Sequence, residues 1–395
     1  MTLNFESVLD ELREVVGMED AGESIPYWLN TSLPNVNLAI SGQADRGFPG
    51  GRIITIAGPE SCGKTALATE LMVEAQRLGG FAFTTDFEHA FMHSHAESIG
   101  LNTGKGFYYK KPNSAEEGFE IAYKVMRTLR AAEMGLKLPA DSAKTPTASA
   151  DALRAALKKR GSLDGMMPIV GLMDSIASMI PRAQDIDYAK QNMKTKNMEL
   201  AMMLSIELKR LARDASNNGT TMVLLNQLRT NPGVMFGDST TEPGGAAPRF
   251  YASVMIRLRR TAKWRAEFGD EKSEAIGDVV ELYVRKNKVS RPFRKTKYVF
   301  RTIDPVGLDL VGTMIMLGKE AGVLGPVEGK TVEFGGKKRW PISDFDAQCR
   351  DDAGLRKQLV DHVMATVNPV TEGPAAEDEA DEEVKLPEGT LAFSV

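Results

Sequence analysis

Two cysteines among 395 residues, Cys62 and Cys349, are too few for a disulfide framework, and with only four histidines the chain offers no Cys/His cluster at metal-ligand spacing. Disulfide-stapled scaffolds and zinc modules are thereby excluded. There is no apolar run long enough to span a bilayer and no charged-then-apolar leader at the N-terminus, so a cytoplasmic location with no membrane partner is expected. No internal repeat is present. What is there is an ordinary globular composition, 42% hydrophobic, long enough for two or three domains and a sizeable core.

The formal net charge of −4 is unevenly spread: from Glu372 onward eight acidic residues stand against Lys385 alone, leaving 48 basic and 45 acidic side chains in residues 1–371. A mildly basic body therefore carries an acidic tail. Basic residues gather at Arg257, Arg259, Arg260, Lys263 and Arg265, and again from Arg285 through Arg301. Such clusters either bind phosphate backbones or form a solvated face, and composition does not decide between the two.

The most informative stretch is Gly58-Pro59-Glu60-Ser61-Cys62-Gly63-Lys64-Thr65, which follows the apolar, strand-like Arg52 to Ala57 and precedes a helical pattern over Ala66 to Leu78. Strand, glycine-rich loop and helix in that order make a nucleoside-triphosphate P-loop. Its glycines let backbone N–H groups curl around phosphates, and the helix N-terminus adds a positive dipole end. Lys64 is placed to neutralise β/γ oxygens and Thr65 to offer a hydroxyl to Mg²⁺. Cys62, inside the loop, reads as a small packed side chain.

Beyond the P-loop, strands are expected at Phe81 to Thr85, Ile169 to Met173 and Thr221 to Leu225, with helices at Glu116 to Met134 and Lys196 to Ser216. This alternation predicts an α/β fold: a P-loop core with a mostly parallel central sheet flanked by helices. The spacing of Phe5, Val8, Leu9, Leu12, Val15 and Val16 predicts a short amphipathic N-terminal helix whose stripe needs cover from its own domain or from a neighbouring subunit. A polar stretch from Leu136 to Gly165, with one helix at Ala150 to Arg160, reads as a surface insertion. The expected division is residues 1–35 as N-terminal helix and linker, 36–312 as core with the insertion at 136–165, 313–367 as a small α+β C-terminal domain, and 368–395 as a disordered acidic tail. Within the small domain, a hairpin is expected at Val332 to Phe334 and Lys337 to Trp340, then a helix at Leu355 to Met364.

Parallel sheets deliver functional residues at the C-terminal ends of their strands. Three such ends are polar: Thr85-Asp86-Phe87-Glu88-His89, Asp174-Ser175 and Asn226-Gln227. An apolar strand ending in Asp174 is the Walker B pattern, whose carboxylate holds Mg²⁺. Glu88 is placed to be the base or positioner for an attacking water.

Together these residues resemble the bacterial-type RecA recombinases. The match runs through the P-loop, Glu88-His89-Ala90, Asn226-Gln227-Leu228-Arg229, Gly233-Val234-Met235-Phe236-Gly237, Pro243-Gly244-Gly245, Arg249-Phe250-Tyr251-Ala252-Ser253, Lys286-Asn287-Lys288 and Pro292-Phe293. It covers about residues 45 to 305. The resemblance implies an ATP- and Mg²⁺-dependent protein that forms a helical homopolymer on single-stranded DNA and exchanges strands with a homologous duplex, in company with single-strand-binding and loader proteins. It implies that Glu88 activates water and that Gln227 senses the γ-phosphate and couples it to a DNA loop at Arg229 to Ala247. Arg229, Val234, Met235, Phe236, Gly244 and Gly245 of that loop, and Arg249 just beyond it, would meet DNA. A second loop, Asp185 to Lys196, would contribute Lys190, Lys194 and Lys196, and Lys286 and Lys288 would reach the γ-phosphate held by the adjacent subunit.

The chain also departs from the family pattern. His95 stands where an aromatic stacks on adenine and Met92 where an acidic residue contacts that base, leaving base selectivity open. Ala246 and Pro248 replace the usual residues after the paired glycines, and the first DNA loop and the insertion differ, as in a phage-encoded relative. Two other readings share the ATP site: a ring-forming helicase or motor, and a DNA-repair mediator that binds ATP without exchanging strands.

Overall fold

The segment Ile53 to Gly58 is buried along its whole length, the pattern of a strand inside a parallel sheet, and the computed structural model places it at the centre of one. The structure describes residues 25–136, 146–183, 193–230, 240–241, 243–267, 272–326 and 330–373. The chain begins with β1 (Trp28–Leu29), α1 (Pro34–Ser41), β2 (Phe48–Pro49), β3 (Ile53–Gly58), α2 (Lys64–Arg77), β4 (Phe81–Asp86), α3 (His93–Ile99), β5 (Phe107–Lys110) and α4 (Ala115–Glu133). It continues with α5 (Pro146–Arg160), β6 (Ile169–Asp174), α6 (Met193–Asn218), β7 (Thr220–Gln227), the short pair β8 (Arg229–Thr230) and β9 (Thr240–Thr241), and α7 (Ala247–Tyr251). Then come β10 (Val254–Arg265), β11 (Ala275–Asn287), β12 (Arg294–Arg301), β13 (Gly307–Asp309), α8 (Leu310–Glu320), β14 (Thr331–Phe334), β15 (Lys337–Pro341), α9 (Ile342–Asp351), α10 (Ala353–Thr366) and β16 (Thr371–Glu372).

One sheet runs in the order β13-β12-β11-β10-β3-β7-β6-β4-β5, with β16 beside β12. From β10 to β5 every neighbouring pair is parallel, and from β10 outward every pair is antiparallel. The expected mostly parallel α/β core is therefore present. Its parallel strands feed two layers alternately: Ile54, Ile56, Val170, Leu172, Val223 and Leu225 pack with α2 residues Leu67 and Leu71, while Ile53, Ile169, Met173, Met222 and Leu224 pack on the other face with Phe119, Leu204 and Leu208. Period-two alternation between two apolar layers is why these strands read as unbroken hydrophobic runs.

The long antiparallel ribbon β10–β12 was not legible as strands, because its sequence looks like clusters of charge. In the structure several of these charges have partners: across strands Arg259 pairs with Glu281 at 3.0 Å and Lys263 with Asp278 at 2.8 Å, Lys297 pairs with Glu320 at the end of the helix after β13 at 3.0 Å, and Lys295 lies over the Tyr283 ring.

The C-terminal unit begins earlier than its composition suggested. Helix α8 starts at Leu310, capped by the Asp309 carboxylate, and is buried from Val311 to Lys319, so it shows no polar face to mark it. It shares a core with the sheet, since Val279 and Val299 pack with Met314, Phe345, Leu359 and Val363. The chain then returns to the sheet: β16 pairs with β12, Glu372 meets Arg291 at 2.8 Å, and Gly373 N–H donates to the Phe293 carbonyl. Residues 368–373, read as the start of a disordered tail, are thus bound to the sheet edge. The N-terminal amphipathic stretch and residues 374–395 lie outside the described residues. Within the insertion, Leu153 and Leu157 of α5 are buried against Ala131 and Met166.

Candidate active site

The P-loop crosses from the end of β3 to the start of α2, and its backbone is what the glycines allow. Gly63 has φ +84° and Ser61 φ +56°, left-handed conformations of the kind that let a loop fold its N–H groups around an anion. A Cβ on Gly58 would lie 2.6 Å from the Cys62 sulfur and 2.7 Å from the Leu258 carbonyl oxygen. Only glycine fits there. Pro59, Glu60 and Ser61 form the exposed rim, while Cys62 is buried, consistent with a packing role, and burial pushes its thiol up from the ordinary range. The Lys64 ammonium donates to the carbonyls of Gly58 at 3.0 Å and Pro59 at 2.6 Å, which holds it over the loop.

Thr65 Oγ1 donates to Asp174 Oδ2 at 3.0 Å, bringing together the two residues expected to hold a metal. Burial, then the neighbouring Glu88 and Asp86 carboxylates, push the Asp174 carboxyl up to about 6. Among the described residues no group of three or more His, Cys, Asp or Glu forms a metal cage. A hydroxyl and one carboxylate at a phosphate site nonetheless fit Mg²⁺, which takes few protein ligands and fills its octahedron with phosphate oxygens and water. The raised carboxyl has a consequence for stability: its ionised form is disfavoured in the fold above about pH 6 and that burden disappears as it protonates below. In the nucleotide-free protein, Asp174→Asn is expected to raise the melting temperature by a few degrees at pH 7.5, with the advantage over wild type shrinking as pH falls through 6. A calorimetric pH series checks this; an unchanged or lowered melting temperature at pH 7.5 would contradict it.

Glu88 is positioned by the ends of β6 and β7. The N–H groups of Phe87 and Glu88 donate to the Asp174 carbonyl at 2.7 and 3.2 Å, and His89 takes φ +58°, turning the chain sharply just past the carboxylate. Glu88 Oε1 accepts from Ser175 Oγ at 2.5 Å, Gln227 Nε2 at 3.0 Å and Ser178 Oγ at 3.3 Å. None of the three uses Oε2. Behind it, Asp86 accepts from Tyr109 OH at 2.8 Å and the Phe91 N–H at 3.0 Å, so that carboxylate is occupied in fixing the strand end.

The seat for this strand end is made by a glycine. A Cβ on Gly118 of α4 would lie 2.2 Å from Phe87 Cζ, so the ring next to Glu88 packs directly on helix backbone. Gly118→Ala is expected to displace Phe87, cost about 1–3 kcal/mol by overpacking, and lower turnover while nucleotide affinity, set at the P-loop, is kept. Thermal melting together with steady-state kinetics checks it, and unchanged kcat would refute the positioning role.

Other expected site residues are distributed as follows. His95 of α3 lines the same cleft as the P-loop, of about 430 Å³, while Met92 is 65% exposed at the start of that helix. Lys286 donates to the Arg249 and Phe250 carbonyls and Lys288 to Phe250 at 3.5 Å. Burial, then Lys288, lowers the Lys286 ammonium below its ordinary range. These lysines are not near their own P-loop: the Lys288 N–H meets Ser253, whose N–H meets Ile53 at the start of β3, about 16 Å of strand from Gly58. Gly244, at φ +99°, is buried with Leu204 and Ile176 against its missing Cβ, while Gly245, at φ +68°, is exposed and faces Ala201, so their backbone conformation favours glycine at both. Arg249 is exposed on α7. Arg229 opens the β8–β9 pair, and Asn226 Nδ2 ties the strand end to the Pro243 carbonyl at 3.0 Å, on the far side of the loop. Lys194 and Lys196 fall on the first turn of α6; Lys190, Val234, Met235 and Phe236 lie outside the described residues. Sequence reasoning did not find Ser178, the Tyr109–Asp86 bond or the charged wall beside the P-loop formed by Arg260 and Lys263. A serine three residues past another carries no signal of its own.

With this geometry in view, comparison with known proteins is direct. The model of the RecA N-terminal domain matches residues 30–147 and 131–302. The chain is 34% identical over 279 residues to "Protein RecA" of Rubrobacter xylanophilus, covering 70% of this chain and 67% of that one. It is 32% identical over 279 residues to the protein of the same name from Acidothermus cellulolyticus, with the same coverage. To that of Streptococcus equi subsp. zooepidemicus it is 30% identical over 346 residues, covering 87% and 74%.

Proposed function

Because this chain belongs to the RecA family, we propose that it is an ATP-dependent DNA recombinase that assembles as a helical homopolymer on single-stranded DNA, pairs it with a homologous duplex and exchanges strands. One observation carries the mechanistic reading: Gln227, the last residue of β7, bonds Glu88 at 3.0 Å, and the chain leaves β7 directly into the Arg229 to Ala247 loop. A single side chain thus connects the water-activating carboxylate with the segment assigned to DNA.

In this mechanism Lys64 and the N–H groups of the P-loop hold the β- and γ-phosphates, and Thr65 and Asp174 would hold Mg²⁺. When bound, the metal ion supplies positive charge to the phosphate oxygens. Glu88 Oε2 takes the proton of a water in line with the γ-phosphate, while Ser175, Ser178 and Gln227 fix Oε1. Lys286 and Lys288, remote from their own P-loop, serve the nucleotide of the next protomer. DNA reaches Gln227 through the Arg229 to Ala247 loop, where Met235 and Phe236 wedge between bases and Arg229 meets phosphate, while Arg249 beyond it and Lys190, Lys194 and Lys196 of the second loop make further phosphate contacts. Homology is read by base pairing. The protein works in the cytoplasm, in a nucleoid or in a phage's host, with single-strand-binding and loader proteins as further partners.

The test is ATP hydrolysis by the full chain with and without single-stranded DNA, followed by electron microscopy of the same sample. DNA-stimulated turnover on helical, DNA-coated filaments is expected. Rings would favour a translocating motor, and nucleotide-dependent DNA binding with no strand exchange would favour a mediator.

A further inference from the structure

The P-loop lies between two unlike walls. On the β7 side of β3 stand Asp174, Glu88 and Gln227, toward which Thr65 already bonds. On the β10 side stand Arg260 and Lys263 of β10 and Asp278 of β11, which line the P-loop cleft together with Ser61 to Ala66. The Asp278 side chain is only 4% exposed; Lys263 meets it at 2.8 Å and Arg260 at 3.8 Å. Two half-exposed cations share one buried carboxylate, which leaves a net positive charge facing the cleft. An ammonium has three donors and a guanidinium five, more than one carboxylate can take.

A triphosphate whose γ end faces the carboxylates places its α-phosphate toward this second wall. We propose that Arg260 and Lys263, anchored by Asp278, form a second cationic subsite for the nucleotide, engaging the α-phosphate and acting independently of Lys64. The inference rests on the nucleotide-site reading of the P-loop. Since the contact is away from the γ-phosphate, it holds ADP as firmly as ATP and contributes to binding without contributing to the chemical step. Asp278 fixes the two side chains in place before ligand arrives, which lowers the ordering cost of binding.

Calorimetric titration of the full-length Arg260→Gln/Lys263→Gln protein with Mg–ADP and with a slowly hydrolysed Mg–ATP analogue tests this, beside Lys64→Ala and the conservative Lys263→Arg. The double variant is expected to lose roughly tenfold in affinity for both nucleotides, the size of a charge-assisted hydrogen bond. Its DNA-stimulated kcat should be unchanged and its KM raised, and Lys263→Arg should retain most of the affinity. Less than about a twofold change for ADP, a loss confined to the ATP analogue, or a fall in kcat with KM unchanged would each overturn the proposal. Wild-type ADP affinity in Lys64→Ala would instead overturn the nucleotide-site reading beneath it.

Discussion

Glu88→Gln is expected to reduce ATP turnover by about 10²–10⁴-fold, the usual contribution of a positioned general base. The substitution is close to isosteric. Its amide oxygen can still accept from Ser175, Ser178 and Gln227, so the link between β4 and β7 should survive. Nucleotide-dependent binding to single-stranded DNA should therefore persist, and filaments made with ATP should become long-lived. Steady-state hydrolysis and a DNA-binding titration on the same preparation separate the two effects. Turnover above roughly a tenth of wild type would remove Glu88 from the role of base, whereas loss of DNA binding would mean that the network, and not proton transfer, is what the charge supports.

The second large effect concerns assembly. Lys286→Ala and Lys288→Ala are each expected to lower hydrolysis by about 10³-fold, as for a cation supplied in trans to a phosphoryl-transfer site. Neither lysine faces its own P-loop, and both point at the backbone of α7. Mixing Lys286→Ala with Lys64→Ala protomers should restore part of the activity, because an interface that joins the intact P-loop of the first to the intact lysines of the second is whole. No recovery in the mixture would exclude action in trans and leave the lysines as DNA contacts.

The catalytic half of the molecule was legible because its elements satisfy local rules. β3, the P-loop and α2 appear within a residue or two of their expected limits, and the polar ends of β4, β6 and β7 converge as parallel strands require. The remainder was obscured for identifiable reasons. Strands β10 and β11 carry arginine and lysine on exposed positions that only the partner strand explains, through Glu281 and Asp278. Helix α8 is apolar all round because the sheet and the C-terminal helices enclose it, so no amphipathic period marks its start. Gly244 and Gly245 were assigned to DNA by resemblance, and both hold a positive φ that favours glycine in any case. The placement of Lys286 and Lys288 at the far end of the sheet could not be read from spacing, since it depends on the β10–β11 register.

That far-end placement also dictates how working sites are counted. If each protomer brings a P-loop on one end and a pair of lysines on the other, joining them head to tail with a rotation that does not close gives an open series with distinct ends. Every junction is one complete unit, and one terminal protomer always binds a nucleotide it lacks the means to cleave. A nascent oligomer is therefore disproportionately silent, and per-protomer activity climbs toward a plateau as the series lengthens. The two tips differ in kind: one retains its nucleotide and the other offers unmatched lysines. Growth and loss of protomers inherit a direction from the sheet itself.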